Sequence, residues 1–521
     1  MKLPGFKGGL AKSKFENLGL QTYQTAEDLD VFTSPNILTP HIKLGNTTTD
    51  PIMNTAKVEA SYGSSNGTTY FLGNSGTNNQ QRLFSASSII GSTSLTTVAT
   101  SATSTTAPSS TNLRNIVEYK DYLYFCGSAT VISRFGTLSS GLTYTESWQS
   151  GRTALTDAML AHEGLGLLFF GDKNTVAKWD NSSFTAPALT LGINWRVKSL
   201  VEYGRFVLIG ASDVNNAQNS KVFVWDGSAT TVDDIIDVGD IGLQAIRNVN
   251  GVIHILTLSN SAGSILDNRC RIYVWSGGQV QLAKEINLQP TSVVAGGVIR
   301  DSAVTVFKDT LYFGLDFPTA NTMNASNGIY AYGHGNVAEP RILTLDRLNL
   351  NGASATDKED ISVTSIKTLG SNLVLTWNDG TNYYLNSLTS NSGYKSANGV
   401  FETVAFPLGK DGQLGKIKRI TIPHLPLVAS TGFTVQVKHY GHYKRGTSIP
   451  SEDSYATLLT PEGNATVPGA TQSTTNTTYT VIEQPNVFKE AQFASIKILF
   501  DEISTVYAPE IIADQIIIEL E

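Results

Sequence analysis

The chain is poor in the residues on which redox chemistry, metal binding and membrane insertion depend. Its 521 residues include only 2 cysteines, and the charged fraction of 16% lies well below the usual ~25%. Cys126 and Cys270 are far apart and lack the CxxC spacing of a metal or redox motif, so we expect both to be small core residues. No run approaches about 18 apolar residues, and the N-terminus lacks an apolar signal segment. We therefore expect that the protein does not insert into a membrane and that it is made in a cytoplasm.

A surplus of positive charge is missing as well. With 37 Lys and Arg against 44 Asp and Glu, the formal net charge is −7. This balance gives no general attraction to nucleic acid or to an anionic membrane. Ser, Thr, Asn and Gly are abundant instead. Because these residues favour turns and strand faces over helix interiors, the composition predicts a strand-rich fold.

A hairpin recurs along the chain at intervals of about 40 to 60 residues. Each copy has an apolar strand that ends in a bulky side chain, a short polar or glycine turn, and a second apolar strand that is often closed by glycine. The copy at Asn250-Gly251 carries the strongest short hairpin signal. The seven copies occupy residues 58–73, 116–127, 158–171, 200–210, 246–256, 304–314 and 365–375.

Several hairpins are followed by a third alternating strand that ends in an aromatic residue. The strands ending at Trp179, Trp225 and Trp275 are the clearest, and the strand ending at Tyr332 is related. We expect these aromatic residues to pack between neighbouring sheets. Four-stranded units at this spacing are typical of propeller blades. The sequence thus predicts an all-β protein with a seven-bladed β-propeller over residues 56–410; a pair of stacked β-sandwiches is the alternative.

The two ends of the chain have other patterns. Residues 1–55 contain Pro35, Pro40 and Pro51, which interrupt any long element, and we expect an extended N-terminal arm. Residues 411–521 alternate apolar and polar positions in several stretches, which predicts a C-terminal β-sandwich. The terminal run, residues 511–518, is apolar on both faces, so we expect a central strand or one covered by a partner chain.

Motifs of catalysis are missing from the sequence. It lacks the sialidase pattern Ser-x-Asp-x-Gly-x-x-Trp, a phosphate-binding loop and a His-Glu-x-x-His helix. The adjacent carboxylates cannot act as an acid and base on one face of a strand, and we expect solvated turns there. These pairs are Asp233-Asp234, Glu359-Asp360 and Asp501-Glu502.

The spacing of His439 and His442 could indicate a metal site. Strand residues three apart face opposite sides, and no further ligand is close in sequence, so we expect an exposed polar strand and turn. The sequence therefore predicts no enzyme, no catalytic, cofactor-binding or metal-binding residue, and no cofactor.

With its parts in this order, the chain resembles virion structural proteins of tailed bacteriophages, in particular the tail nozzle or hub proteins of short-tailed phages. The resemblance rests on the N-terminal arm, on the turns Val-Trp-Asp-Gly at 224–227 and Val-Trp-Ser-Gly at 274–277, and on an all-β C-terminal domain that ends in an apolar strand.

This resemblance implies a place in the virion. Several copies, commonly six, would form a ring around the DNA exit channel and contact other tail proteins or the portal and adaptor proteins. DNA would pass without specific binding, because a negative lumen repels phosphates. Arms and edge strands would pair between subunits.

Two other hypotheses remain open at the level of sequence. The first is a virion adhesin or carbohydrate-binding propeller in which exposed Trp148, Trp195 or Trp377 stacks on sugars. The second is a glycoside hydrolase with its site on the propeller axis.

Overall fold

The fold is known from a computed structural model, and in its described part it is built almost entirely of β-strands. Those residues contain short 3₁₀ turns at Asp301–Ala303 and Ala513–Gln515 and no α-helix, which confirms the all-β class. No helix long and apolar enough to cross a membrane occurs among them. The described residues are 1–3, 9–11, 15, 22–32, 36–40, 45–46, 58–75, 80–86, 96–100, 115–128, 130–215, 218–259, 269–287, 297–316, 327–334, 342–345, 362–369, 372–378, 383–388, 399–410, 413–427, 431–441, 454–460, 463–467, 479–502 and 508–521.

The chain folds into two compact units. The first unit contains residues 1–44, 330–350 and 390–521, and the second contains residues 45–329 and 351–389. The sequence placed boundaries near residues 55 and 410, with a separate arm before the first. In the structure, the strand Thr22–Glu27 of that segment pairs with Gly399–Thr403. Pairing between segments so distant in the chain leaves no local signal in the sequence.

In the second unit, each of the seven predicted hairpins forms an antiparallel strand pair, and six of them are the first two strands of a four-stranded sheet; for the sixth hairpin we use the term sheet for the strand pair alone. The turns are tight; Lys120, Asp121, Lys308 and Asp309 all have positive φ, as a two-residue hairpin turn of the primed type requires. We number the sheets 1 to 7 in chain order. Their strands are Val58–Gly63, Thr69–Ser75, Gln80–Ala86 and Thr96–Thr100 (sheet 1); Ile116–Tyr119, Tyr122–Ser128, Val131–Gly136 and Thr143–Gln149 (sheet 2); Leu155–His162, Leu167–Asp172, Thr175–Trp179 and Phe184–Thr190 (sheet 3); Trp195–Tyr203, Phe206–Asp213, Lys221–Trp225 and Asp234–Asp237 (sheet 4); Leu243–Val249, Val252–Ser259, Arg269–Trp275 and Gln281–Asn287 (sheet 5); Val304–Phe307 and Thr310–Leu315 (sheet 6); and Ser362–Leu369, Asn372–Asn378, Tyr383–Leu388 and Gly45–Asn46 (sheet 7).

Sheet 7 contains strands from both ends of the second unit. The short strand Gly45–Asn46 pairs antiparallel with Tyr383–Leu388, where Asn46 lies opposite Asn386. Sheet 1 begins only a few residues later in the chain, at Val58. The first strand of sheet 7 also contacts the first strand of sheet 1. A segment that the sequence assigned to an arm is therefore the fourth strand of a sheet.

The first strands of consecutive sheets lie against one another, and glycine makes this approach possible. A Cβ atom added at Gly210, at the end of the sheet 4 hairpin, would lie 2.9 Å from Cδ2 of Leu243 in sheet 5. A Cβ added at Gly314 of sheet 6 would lie 2.6 Å from Cβ of Val363 in sheet 7. The glycine that closes these hairpins in the sequence repeat is required because the next sheet packs directly on its backbone.

Aromatic residues at the ends of third strands pack on the preceding sheet, as the sequence predicts. The ring of Trp225 lies 5.4 Å from that of Phe169 in sheet 3, and the ring of Trp275 lies 5.6 Å from that of Tyr203 in sheet 4. Trp179 makes the corresponding contact with Trp148 of sheet 2, and the centroids of the two rings lie 5.0 Å apart. Edge-to-face and tilted pairs of this kind stabilise beyond the area they bury.

The first unit has one hydrophobic core, which contains side chains of a large sheet and of two small ones. In the large sheet the strand order is Ile342–Leu345, Thr22–Glu27, Gly399–Thr403, Phe493–Glu502, Gly432–Tyr440 and Ala456–Leu458; Gly9–Leu10, Phe406–Pro407 and Thr466–Val467 pair with Thr22–Glu27, Phe493–Glu502 and Gly432–Tyr440, and Gly328–Gly333 pairs with Ile342–Leu345. The small sheets are Tyr479–Ile482, Ile417–Pro423 and Ile517–Leu520, and Leu29–Asp30, Ile37–Pro40 and Ile511–Ile512.

The apolar strand at the C-terminus is covered by the first residues of the same chain. Its strand Ile517–Leu520 pairs on one side with Ile417–Pro423. On the other side the N–H of Ile518 donates to the carbonyl of Met1 at 2.7 Å, and the N–H of Leu3 donates to the carbonyl of Ile516 at 2.9 Å. No partner chain is needed to satisfy this edge. The first residues of the arm and the terminal strand thus bond to each other within one chain; their pairing between subunits stays a prediction.

The close approach of sheets 6 and 7 can be tested with Gly314→Ala. The added methyl group must displace Val363, so we expect the free energy of unfolding of the second unit to fall by about 1–3 kcal/mol. All 6 tryptophans belong to this unit, so tryptophan fluorescence during urea denaturation reports its unfolding. Gly278→Ala is the matched control, because a Cβ there meets nothing within 4 Å. Equal stability of the two variants would contradict the packing described.

Candidate functional site

The first strands of sheets 4, 5 and 6 share a buried polar network centred on Arg247. Its guanidinium donates to Asp301 Oδ1 at 2.7 Å, to Ser199 Oγ at 3.2 Å and to the carbonyl oxygen of Val304 at 2.9 Å. The Asp301 carbonyl accepts a further bond from Nη2. The two charged side chains are only 16% and 5% exposed. Since the hydroxyl of Ser199 also donates to Asp301, this carboxylate has both a cation and a hydroxyl as partners.

Lys367 of sheet 7 lies beside this network. Its ammonium donates to Asn115 Oδ1, at 3.2 Å, directly before the first strand of sheet 2. Loss of hydration and, second, repulsion by Arg247 lower the pKa of Lys367 to about 8, while Asp301 acts in the opposite direction. Such an amine is partly neutral near pH 8 and is the most nucleophilic group of the network. The carboxylate among the described residues of the network, Asp301, is paired with Arg247.

Smaller contacts join sheet 7 to both of its neighbours. The hydroxyl of Ser302 donates to the carbonyl of Thr364 at 2.7 Å, which links sheet 6 to sheet 7. The hydroxyl oxygens of Ser61 and Ser365 lie 3.5 Å apart, which links sheet 1 to sheet 7. These groups are buried, so each hydrogen bond replaces water that the packing excludes.

A cavity of about 590 Å³ opens among the hairpin turns of sheets 1, 2 and 3. Glu118 at its wall accepts hydrogen bonds from the backbone N–H of Ser65, at 2.9 Å, and from the hydroxyl of the same residue. His162 is buried; its Nδ1 accepts the N–H of Leu165 at 3.2 Å and its Nε2 lies 3.2 Å from the carbonyl of Phe206. Both ring nitrogens are therefore occupied, and the arrangement is that of a structural histidine.

Two of the three tryptophans proposed as sugar platforms, Trp195 and Trp377, are core residues. Trp377 is fully buried and stacks on Tyr384 at 4.0 Å. Trp195 is also buried, and half-buried Trp148 packs edge-on against Tyr124 at 5.1 Å. Burial of Trp195 and Trp377 removes the contact surface that sugar stacking needs, whereas part of the Trp148 ring is exposed.

The structure separates the histidine pair that invited a metal test. His439 is buried, at 4% exposure, and accepts the N–H of Lys489 at 3.3 Å. The prediction of an exposed strand is wrong for this residue, because Gly432–Tyr440 lies inside the large sheet with strands on both sides. His442 lies outside the described residues. In the described part of the chain, no three His, Cys, Asp or Glu side chains are placed to hold a metal ion.

The remaining residues singled out in the sequence fall into three groups. Asp233 and Asp234 are exposed, as expected for solvated positions. Residues 359–360 lie outside the described part of the chain, as do the side chains of residues 501–502. Cys126 and Cys270 are buried and unbridged, which confirms their assignment to the core, and burial raises the pKa of the Cys270 thiol to about 12.

The Arg247 network can be tested by removing one charge or both. Asp301→Asn leaves Arg247 without its counter-ion, so we expect the second unit to lose about 3 kcal/mol of stability in urea denaturation followed by tryptophan fluorescence. The double variant Arg247→Leu/Asp301→Leu should lose less, since it leaves no unpaired charge. Arg269→Gln is the control: it breaks a 3.7 Å ion pair on an arginine that is 39% exposed, and should cost under ~1 kcal/mol. A double variant less stable than Asp301→Asn would refute this account.

Comparison with known proteins gives structural likenesses alone. No protein-family model matches the chain, and no curated protein matches it. Its structure is similar to the WD40 β-propeller domain of Doa1, at 12% identity and a TM-score of 0.41, with 67% of this chain and 98% of that one covered. The WD40 domain of Neurospora crassa Pan2 gives 11% identity and a TM-score of 0.39, covering 65% and 90%. The Dos1 propeller gives 11% and 0.40, covering 71% and 95%.

Proposed function

We propose that the chain is a structural component of a bacteriophage particle, a tail nozzle or hub subunit that forms a ring around the DNA exit channel. In this proposal the second unit is a closed seven-bladed β-propeller. Residues 411–521 form a β-sandwich within the first unit, and the site of action is the virion.

Closure of the second unit is supported by the order of its contacts. The first strand of each sheet lies against the first strand of the next, and that of sheet 7 lies against that of sheet 1. The strand Gly45–Asn46 completes sheet 7 from the opposite end of the unit. The N-terminal end of the unit is thus held by main-chain hydrogen bonds in its last sheet, the arrangement by which a ring of blades is closed.

The observation that carries a structural role is that the polar groups of the first strands bond to one another. Arg247 uses its guanidinium on Asp301, Ser199 and Val304, which belong to neighbouring sheets or the turn before them. In a propeller with a site on its axis, such groups would be directed at a ligand. Here they link the sheets, as suits a scaffold that must keep its shape under load.

Charge supports the passage of DNA without binding. The formal net charge of the chain is −7. Phosphate binding grows with the number of Lys and Arg contacts, so a ring with an acidic lumen repels the DNA backbone and lets it slide.

Contact between subunits is assigned to a sheet face in the first unit, on which exposed apolar side chains lie beside the ion pair of Arg419 with Glu519. Ile517 is 42% exposed, and it lies opposite Thr421, which in turn lies opposite half-buried Val481. Tyr479, on the neighbouring edge strand, is 60% exposed. Side chains of this type are frequent at subunit interfaces and costly to leave in water.

The experiment is the assembly state at micromolar concentration, alone and with portal, adaptor and tail proteins of a short-tailed phage. We expect a ring of about six copies in negative-stain images and native mass spectra, because a heterologous interface, in which this face of one subunit packs on a different surface of the next, closes into a ring. Ile517→Glu should prevent the ring by placing a charge in the interface, whereas Ile193→Glu should not, although Ile193 is 78% exposed. A monomer under every one of these conditions would contradict the proposal.

A further inference from the structure

A second groove, of about 480 Å³, lies between the outer strand of sheet 4 and the turn that follows the third strand of sheet 5. Its volume is in the ~300–1,000 Å³ range of small-molecule sites. Ligands of propeller proteins need not occupy the axis, and this groove is lined by side chains of a different kind from those of the Arg247 network. The lining side chains with hydrogen-bonding or aromatic groups are Asn219, Asp234, Asp237, Trp275 and Gln279.

Trp275 presents a fixed aromatic surface to this groove. Its indole N–H donates to the carbonyl of Gly278 at 2.9 Å, and its ring packs 5.6 Å from that of Tyr203 on the other side. The side chain is half-buried, so part of the ring is left to line the groove. A ring held in one orientation by a hydrogen bond and a neighbour loses little further entropy when a ligand stacks on it.

The polar groups around Trp275 are acceptors that are already oriented. Asp234 Oδ1 accepts the N–H of Ile235 at 2.8 Å, and Asp237 Oδ1 accepts the N–H of Gly239 at 3.0 Å. In each carboxylate this bond holds one oxygen, and both residues line the groove. The amides of Asn219 and Gln279 add donors and acceptors on exposed positions of the same lining.

The negative charge of the groove disfavours anionic ligands and favours the hydroxyl groups of a neutral ligand. None of its lining residues is Lys or Arg. Lys221 lies opposite Asp237 in the strand register, but its ammonium is 5.4 Å from the ring of Trp195, which is not part of the lining. A quaternary ammonium ligand would need several aromatic faces around it, and Trp275 is the one aromatic residue in this lining.

We propose that this groove binds a neutral saccharide. One face of the sugar stacks on Trp275, and the ring hydroxyls donate hydrogen bonds to Asp234 and Asp237. Carboxylates paired with amides suit neighbouring hydroxyls, which donate and accept at once. This binding site is separate from the subunit interface assigned above, so it stands or falls independently of the ring.

The test is saturation-transfer NMR on the full chain with a panel of neutral sugars: glucose, galactose, mannose, N-acetylglucosamine, lactose, maltose and cellobiose. Sialic acid and choline serve as the anionic and cationic probes. We expect transfer to at least one neutral sugar and weaker transfer to both charged probes. In Asp234→Asn/Asp237→Asn, affinity should fall about tenfold or more, because hydrogen bonds to charged acceptors are lost.

Asp233→Asn is the matched control, since Asp233 is an exposed neighbour outside the lining and should leave affinity unchanged. Trp275→Phe keeps a ring against Tyr203 and should weaken binding by reducing the stacking area, while circular dichroism shows that the variant is folded. The proposal is overturned if no neutral sugar shows transfer at millimolar concentration, if choline or sialic acid binds more strongly, or if the groove variants and Asp233→Asn bind alike.

Discussion

The structure of the second unit depends on one steric constraint, the approach of each first strand to the backbone of the preceding hairpin. At Gly210 and Gly314 the neighbouring side chains occupy the place where a Cβ would be. Packing at this distance excludes water from the space between the sheets and leaves the polar groups of the first strands without solvent. Those groups must then find partners in the protein, because a buried unpaired polar group costs about 1–3 kcal/mol.

The polar network around Arg247 follows from this constraint. Arg247, Asp301 and Ser199 come from three consecutive sheets or the turn beside one, and each satisfies the others. A buried ion pair contributes little net stability against an apolar replacement, but it penalises any arrangement in which one partner is missing. We propose that the network specifies which sheets are neighbours more than it adds to the free energy of folding. Such specificity suits a protein whose proposed task is to hold a shape within an assembly.

Local features of the fold were predictable from the sequence, and long-range ones were not. The hairpins at Lys120-Asp121 and Asn250-Gly251 follow from turn residues that accept positive φ, with apolar strands on either side. The seam positions of Trp225 and Trp275 follow from their place in alternating strands. In contrast, Gly45–Asn46 is too short to show any periodicity, and its partner strand lies at the far end of the unit. The bonds of Met1 and Leu3 with the C-terminal strand are equally invisible to a local pattern.

The candidate sites show the same division. The burial of Trp377 follows from its place in an apolar strand. The pairing of Arg247 with Asp301 joins a strand residue to a turn before another sheet, and no sequence spacing predicts it. The groove at Trp275 was also missed, because its walls come from adjacent sheets whose alignment depends on the packing between them. A sequence supplies the residues of such a site, but the register between sheets decides which of them meet.

Closure between sheets 7 and 1 is the central claim, and an engineered disulfide tests it most directly. The hydroxyl oxygens of Ser61 and Ser365 are 3.5 Å apart, so Ser61→Cys/Ser365→Cys places two thiols within the reach of a disulfide bond. The account predicts that this bond forms under mild oxidation of the folded protein, seen as a two-proton mass loss and as a link between the two peptides after proteolysis. Two thiols that stay reduced in the folded double variant, or that react separately with a thiol reagent, would contradict it.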